Sequence, residues 1–390
     1  MKPKCIMLVA TEASGDLLGA NLIAALRARL GADVTFVGVG GPRMAAEGIT
    51  SPFDPTSLAL IGVFNAVAAY PRVLRRVRET ADLARREAPD AAILIDAWGF
   101  NVRVAHALRR VDPHMKLIKY VAPQVWATRP GRARTLARAV DHLLTIHAFD
   151  APYFEAHGLA TTFVGNPALA RDLAGADPAR LRAQIGAAKD DPILLVLPGS
   201  RRGEIERLMP SFQEAIATLM VERPRLRVVI ATAPSVADEI KARVAARPSP
   251  VRVIEGETAH RDAMLAATVA MACSGTVTTE LALAGCPMVV AYRLGPLTAV
   301  VAKRLIRTPY ITLINVAAQA LVAPELVQSA CTGRALAAAI GRLLDDPTAR
   351  AIQIAAQSAA LAIMRGDVAD PIAAAADAVV RILRREPHRK

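Results

Sequence analysis

The chain has 390 residues, is 53% hydrophobic but only 4% aromatic, and carries a formal charge of +13. Its length suits two domains, and a core of that size folds without disulfides or a structural metal. So few aromatics, with no RNA-binding signature, argue against a nucleic-acid partner.

The four cysteines, Cys5, Cys273, Cys286 and Cys331, are scattered and form no CxxC pair. They read as small buried hydrophobes in a reducing compartment. No apolar stretch of about 20 residues is free of charge, so nothing spans a membrane. The N-terminal "MKPKCIMLVATEASGD" reads as a strand and loop, not a signal peptide. The positive charge is uneven: Arg72 to Arg138 holds 15 Lys or Arg against 6 Asp or Glu. Such a face wants an anionic partner, unless it is simply a solvated arginine-rich surface.

In chain order, "CIMLVA", "VTFVGVG", "AAILID", "LIKYVA", "HLLTIH" and the start of "GLATTFVGNP" read as strands. Between them "LGANLIAALRARL", "YPRVLRRVRETADLARREA" and "VRVAHALRRV" carry apolar residues at helical spacing. Continuous apolar strands alternating with helices predict a doubly wound parallel sheet. After a link ending in "KDDP" the pattern restarts with "ILLVLPGS", "LRVVIATAP", "VRVIEGET", "VAMACSG" and "PMVVAYRL". The restart predicts a second Rossmann-like domain, and the tail reads as helical. The expected division is residues 1–170, 171–345, and C-terminal helices over 346–390 that cross back to the first domain.

Ligands of open parallel sheets bind at the carboxyl ends of strands, and the candidate motifs fall there. "TEASGDLLGA" opens a helix after the first strand, with Ser14 and Gly15 at the turn. The helix start suits an anion, or Ser14 or Asp16 is simply its cap. "VGVGGPRM" has the wrong glycine spacing for a dinucleotide fingerprint. "LPGSRRGEIERLMP" places Ser200, Arg201 and Arg202 at a helix start, where arginine suits bidentate phosphate binding. "ACSGTVTTELALAGCPMVV" repeats the device with Ser274, Gly275 and Thr276. Glu280 follows one turn later, placed for ribose hydroxyls unless it is an ordinary exposed helix glutamate. "AAILIDAWGFN" ends an apolar run in Asp96, a carboxylate suited to general-base work or to capping the next turn. His106, His142 and His147 are rival bases, the last two reading more readily as packing or cap residues.

Together, "EASGDLLGA", "FVGVGGPRMAAEG", "LALIGV", "YVAPQVWATRPGRARTLAR", "LPGSR", "SGTVTTELALAGCPMVVAYRL" and "APELVQ" resemble the lipid-A-disaccharide synthase family, in order along nearly the whole chain. The resemblance implies a GT-B glycosyltransferase: an α/β protein of two Rossmann-like doubly wound parallel-sheet domains facing a cleft. It implies inverting transfer from UDP-2,3-diacylglucosamine to 2,3-diacylglucosamine 1-phosphate, releasing UDP, at the cytoplasmic face of the inner membrane of a Gram-negative cell, in lipopolysaccharide synthesis. It implies no metal and no cofactor. It puts the family's required aspartate at Asp96, the donor UDP at Ser200, Arg201, Arg202, Ser274, Gly275, Thr276, Glu280 and Asn315, and the acceptor near Ser14, Gly15, Gln124 and Trp126. The chain departs from the family pattern at "DAWGFN" (family "DAPDFN"), "WAT" ("WAW"), "GNP" ("GHP"), "LIN" ("LPN") and "GVFN" ("GIVE"). Four of these changes lie in the acceptor half.

Acylated substrates require contact with a bilayer. "SLALIGVFNAVAAYPRVLRRVR" offers Ile61 and Phe64 followed by Arg72, Arg75, Arg76 and Arg78, an arrangement for an anionic membrane surface. A core helix edge with a solvated basic end would share that pattern. Two other functions fit the sequence. One is another GT-B enzyme on a UDP-amino sugar, a peptidoglycan-type glycosyltransferase or a UDP-N-acetylglucosamine 2-epimerase. The other is a non-catalytic nucleotide-sugar or lipid-binding homologue. Oligomeric state is left open.

Overall fold

The structure is a computed structural model that describes residues 4–31, 33–55, 58, 66–170, 173, 175–245, 251–295, 306 and 308–384. It divides into two compact units, Met1–Ala170 with Arg365–Lys390, and Arg171–Met364.

The first unit holds six parallel strands: β1 (Lys4–Val9), β2 (Val34–Val39), β3 (Ala91–Ile95), β4 (Lys116–Tyr120), β5 (His142–Thr145) and β6 (Ala160–Phe163). Their order is β2-β1-β3-β4-β5-β6. Parallel strands with helices on both faces must be apolar on both, and all five residues of β3 are buried. On one face Met7, Val9, Leu94 and Leu117 meet Phe100, Val104 and Leu108 of helix Trp98–Val111. On the other, Ile6, Leu8, Ile93 and Ile118 meet helix Ala13–Leu30 and the returning tail helix Pro371–Arg384.

The glycine-rich "VGVGGPRM" is explained by packing. A Cβ on Gly38 would stand 1.8 Å from the Leu8 carbonyl oxygen. Beyond it the backbone amides of Gly41, Arg43 and Met44 donate to the buried Asp16 carboxylate at 2.8, 2.9 and 3.0 Å. Asp16 thus caps the short helix Pro42–Ala46 rather than its own, and fills from within an amide cluster that elsewhere would hold an anion.

The second unit repeats the plan with β7 (Ile193–Leu197), β8 (Arg227–Thr232), β9 (Val251–Glu255), β10 (Val269–Cys273), β11 (Met288–Tyr292) and β12 (Glu325–Val327), ordered β12-β11-β10-β7-β8-β9. This is the Rossmann order. Strand β12 has no counterpart among the strands expected from the sequence; three residues are too few to show a period. The expected C-terminal block over 346–390 is itself divided. Helix Pro347–Arg365 packs into the second unit, where Gln353 bonds both the amide and the carbonyl of Met288 and Gln357 bonds the Cys286 carbonyl. Among the described residues no helix is long and apolar enough to cross a membrane.

Candidate active site

In each sheet one pair of neighbouring strands sends its connections to opposite faces, and a crevice opens at their carboxyl ends. In the first sheet that pair is β1 and β3, bordered by Glu12–Gly15 and Asp96–Trp98. In the second it is β7 and β10, bordered by Pro198–Arg202 and Ser274–Thr276. Most of the sequence candidates therefore stand around two switch points.

At the first, Asp96 leaves β3 with φ +50°, and Ala97 follows at +40°. Two successive non-glycine residues in the left-handed region carry strain of about 1–3 kcal/mol each, held by their surroundings. The holding groups are visible. Asp96 N donates to the Tyr120 carbonyl at 2.9 Å. Asn101, fully buried, donates its amide to the carbonyls of Ile95 and Asp96 at 2.8 and 2.9 Å. The Lys119 ammonium reaches the carbonyls of Leu94 (3.3 Å), Tyr120 (3.2 Å) and Asp96. Lys119 is 2% exposed; burial pulls it down to about 7, while Asp96 and Glu12 pull the other way. The Asp96 side chain itself remains half-buried.

Around this turn, Ser14 is exposed. Gly15 is buried, and a Cβ there would meet Ala10 at 3.3 Å and Ile95 at 3.6 Å. Its smallness lets the helix start close to β1 and β3. Gln124, past β4, is exposed; its carbonyl accepts from Ala127 and Thr128. Trp126 donates its indole N–H to Asp150 at 3.0 Å and meets Phe149 edge-on. Burial pushes Asp150 up to about 7 and pulls His147 down to about 4. His147 is therefore a neutral, buried ring stacked on Phe149. His142 begins β5, at the opposite end of the sheet from the crevice, and His106 is exposed in mid-helix.

At the second switch point the backbone amides already hold a carboxylate. Glu204 accepts from the amides of Ser200 and Arg201 at 3.1 and 3.3 Å and from the Arg201 guanidinium at 2.9 Å. The Arg201 side chain is 81% exposed and Arg202 is exposed beside it. Ser274 donates its hydroxyl to the Ile311 carbonyl, while Gly275 and Thr276 are exposed at the start of helix Thr276–Leu283. Glu280 is half-buried on that helix. Asn315 is 0% exposed, donates to the Ala323 carbonyl and to Glu325 at 2.8 Å each, and accepts from Ala323 N at 2.9 Å. These bonds fix the loop before β12. Among the described residues no group of three or more His, Cys, Asp or Glu is placed to hold a metal ion.

The membrane candidates divide as well. Ile61 and Phe64 lie outside the described residues. On helix Ala66–Glu87, Arg72 and Arg78 are exposed, and Arg75 is exposed with a 3.4 Å contact to Glu79. Arg76 does not belong with them: it pairs with Glu79 at 2.7 Å and lies over the Phe53 ring, 4.7 Å from its centroid. Sequence reading missed Lys119 altogether; its signal was a lone charge inside the apolar run "LIKYVA".

Two Rossmann-type sheets in one chain, each with an open switch point, are the GT-B architecture of glycosyltransferases and related enzymes. Solved structures share it: the UDP co-structure of MnaA from S. aureus (TM-score 0.64, 13% identity, 97% of this chain and 95% of that one) and UDP-GlcNAc 2-epimerase from Neisseria meningitidis bound to UDP-GlcNAc (TM-score 0.60, 13% identity, 97% and 99%). At such identities the likeness is one of fold. Sequence is decisive where fold is not: residues 6–370 match the family described as Lipid-A-disaccharide synthetase. The lipid-A-disaccharide synthase of Rhodospirillum centenum is 44% identical over 384 residues, 98% of this chain and 96% of the relative. The chain belongs to the lipid-A-disaccharide synthase family and is a glycosyltransferase.

Proposed function

We propose that the enzyme joins UDP-2,3-diacylglucosamine to 2,3-diacylglucosamine 1-phosphate, giving the lipid A disaccharide 1-phosphate and UDP. The observation that carries this reading is the family match along residues 6–370. The acceptor hydroxyl attacks the anomeric carbon, the bond to the UDP oxygen breaks, and configuration inverts. Asp96 takes the hydroxyl proton as general base. Its place at the carboxyl end of β3, beside the switch point, supports that role. The diphosphate lies at the amides and arginines of Ser200–Arg202 and Ser274–Thr276, displacing the Glu204 carboxylate from the first of these, and Glu280 takes the ribose hydroxyls.

The lipid-bearing substrates bring the protein to the cytoplasmic face of an anionic membrane. Arg72, Arg75 and Arg78 supply the electrostatic attraction, each contributing about 1 kcal/mol near the surface. Beside them a groove has Leu74, Val77, Ala81 and Ala107 as its apolar floor and Arg78, Arg85 and Arg110 at its walls, Arg85 being paired with Asp82. The deciding experiment is mass analysis of the product from defined donor and acceptor, with UDP release followed in parallel. Release that does not depend on acceptor would overturn the transferase reading in favour of hydrolysis, and no release would leave a binding protein.

A further inference from the structure

Lys119 sits on β4 with its ammonium directly beneath the left-handed turn at Asp96 and Ala97. Burying a charge there opposes folding unless it is compensated. Two of its acceptors do not require it. The Tyr120 carbonyl also takes the Asp96 amide, and the Asp96 carbonyl also takes the Asn101 side chain. A methionine in place of Lys119 would leave both carbonyls paired and remove a desolvated cation, the kind of exchange that is often neutral or stabilising. For these two carbonyls the fold does not require an ammonium.

The reason for one lies at the strand ends. The charged groups that bear on Lys119 are Asp96 beyond β3 and Glu12 beyond β1, carboxylates on the two loops that border the crevice. Helix Trp98–Val111, packed over the same turn, contributes the neutral amide of Asn101. The geometry points to Lys119 as the positioning residue for Asp96: its amino group clamps the carbonyl of the strained turn from which that side chain projects. This rests on Asp96 being the base. It adds that Asp96 is effective only from a backbone conformation that a buried lysine maintains. Lys119 never touches substrate, so it acts on turnover and not on binding.

The test uses Lys119→Met and Lys119→Gln in the full-length enzyme, each made with Asp96 intact and in an Asp96→Asn background. The glutamine variant keeps a neutral donor for the carbonyls and serves if methionine is not tolerated. With Asp96 intact, kcat is expected to fall by about tenfold or more while KM for donor and acceptor stays within about threefold and the melting temperature does not drop. In the Asp96→Asn background neither substitution should lower the residual rate further, because the clamp then has nothing to position. Loss of kcat by the same factor in both backgrounds would overturn the inference, as would turnover within about threefold of wild type in both variants. Near-normal turnover in Asp96→Asn alone would sink the base reading beneath it, and that result needs no Lys119 variant to be seen.

Discussion

The two switch points are built from the same topology and do opposite electrostatic work. At β1 and β3 the crevice carries carboxylates, Glu12 and Asp96, backed by a cation that is 2% exposed. At β7 and β10 it carries exposed arginines and amides, with the carboxylate of Glu204 lodged among them. On the proposed mechanism the first would accept a proton and the second an anion. The backbones of the two turns also differ: Asp96 and Ala97 are left-handed without being glycine, whereas the sharp bend after β7 falls on Gly199, at φ +112°, where glycine relieves the strain.

The largest effect expected from this contrast is in Asp96→Asn. Turnover should fall by about a hundredfold or more, as for loss of a general base, with UDP affinity nearly unchanged. Steady-state rates with defined lipid substrates, set beside calorimetry with UDP, read both halves of that statement; weakened UDP binding would break the division of labour. Arg201→Ala and Glu280→Ala should do the reverse, each weakening UDP by about 1.5–3 kcal/mol. Unchanged affinity in both would move the nucleotide away from β7 and β10.

A smaller contrast concerns acid. In the second unit Asp262 is held below the ordinary carboxylate range chiefly by Arg180, and Asp191 by the Ala188 amide and Arg227. A depressed carboxylate contributes stability that is present above its ordinary value of about 4 and is lost as pH falls through the folded value. Asp262→Asn should therefore lower stability at pH 7, the difference shrinking as the wild type is acidified below about pH 4. Melting curves from pH 7 to pH 3 check it; a pH-independent difference would assign the effect to shape instead of charge. The smallest effects belong to the basic helix. Arg72→Gln, Arg75→Gln and Arg78→Gln should each weaken sedimentation with anionic vesicles at low salt by about 1 kcal/mol. Arg76→Gln should not, since that guanidinium is spent on Glu79 and Phe53. Binding that survives high salt would give the contact to apolar residues instead.

What the sequence made legible was periodicity. The five- and six-residue apolar runs were visible as strands because both faces of a parallel sheet are buried; Glu325–Val327 was not, being three residues long. Asp96, Arg201 and Ser274 were found because a polar residue closing an apolar run is a conspicuous signal. Side-chain partners gave no such signal. Nothing in "LIN" tells that Asn315 is saturated by Ala323 and Glu325, or in "EASGD" that Asp16 caps a helix 25 residues away. Arg76 shares the spacing of its neighbours, and only its contacts with Phe53 and Glu79 set it apart; Lys119 is a single charge in an apolar run, whose partners no local pattern announces.

The tail helix Pro371–Arg384 has a consequence for biosynthesis. Ala375, Ala376 and Val379 complete the core that Ile6, Leu8 and Ile23 begin, so the ends of the chain meet in one hydrophobic layer. The second unit is in effect an insertion within the first. On the ribosome, residues 171–364 can bury their own core as soon as they emerge, whereas the first unit keeps an open apolar seam until residues 371–384 follow them out. During that interval its exposed helix Ala13–Leu30 is the surface a chaperone would meet.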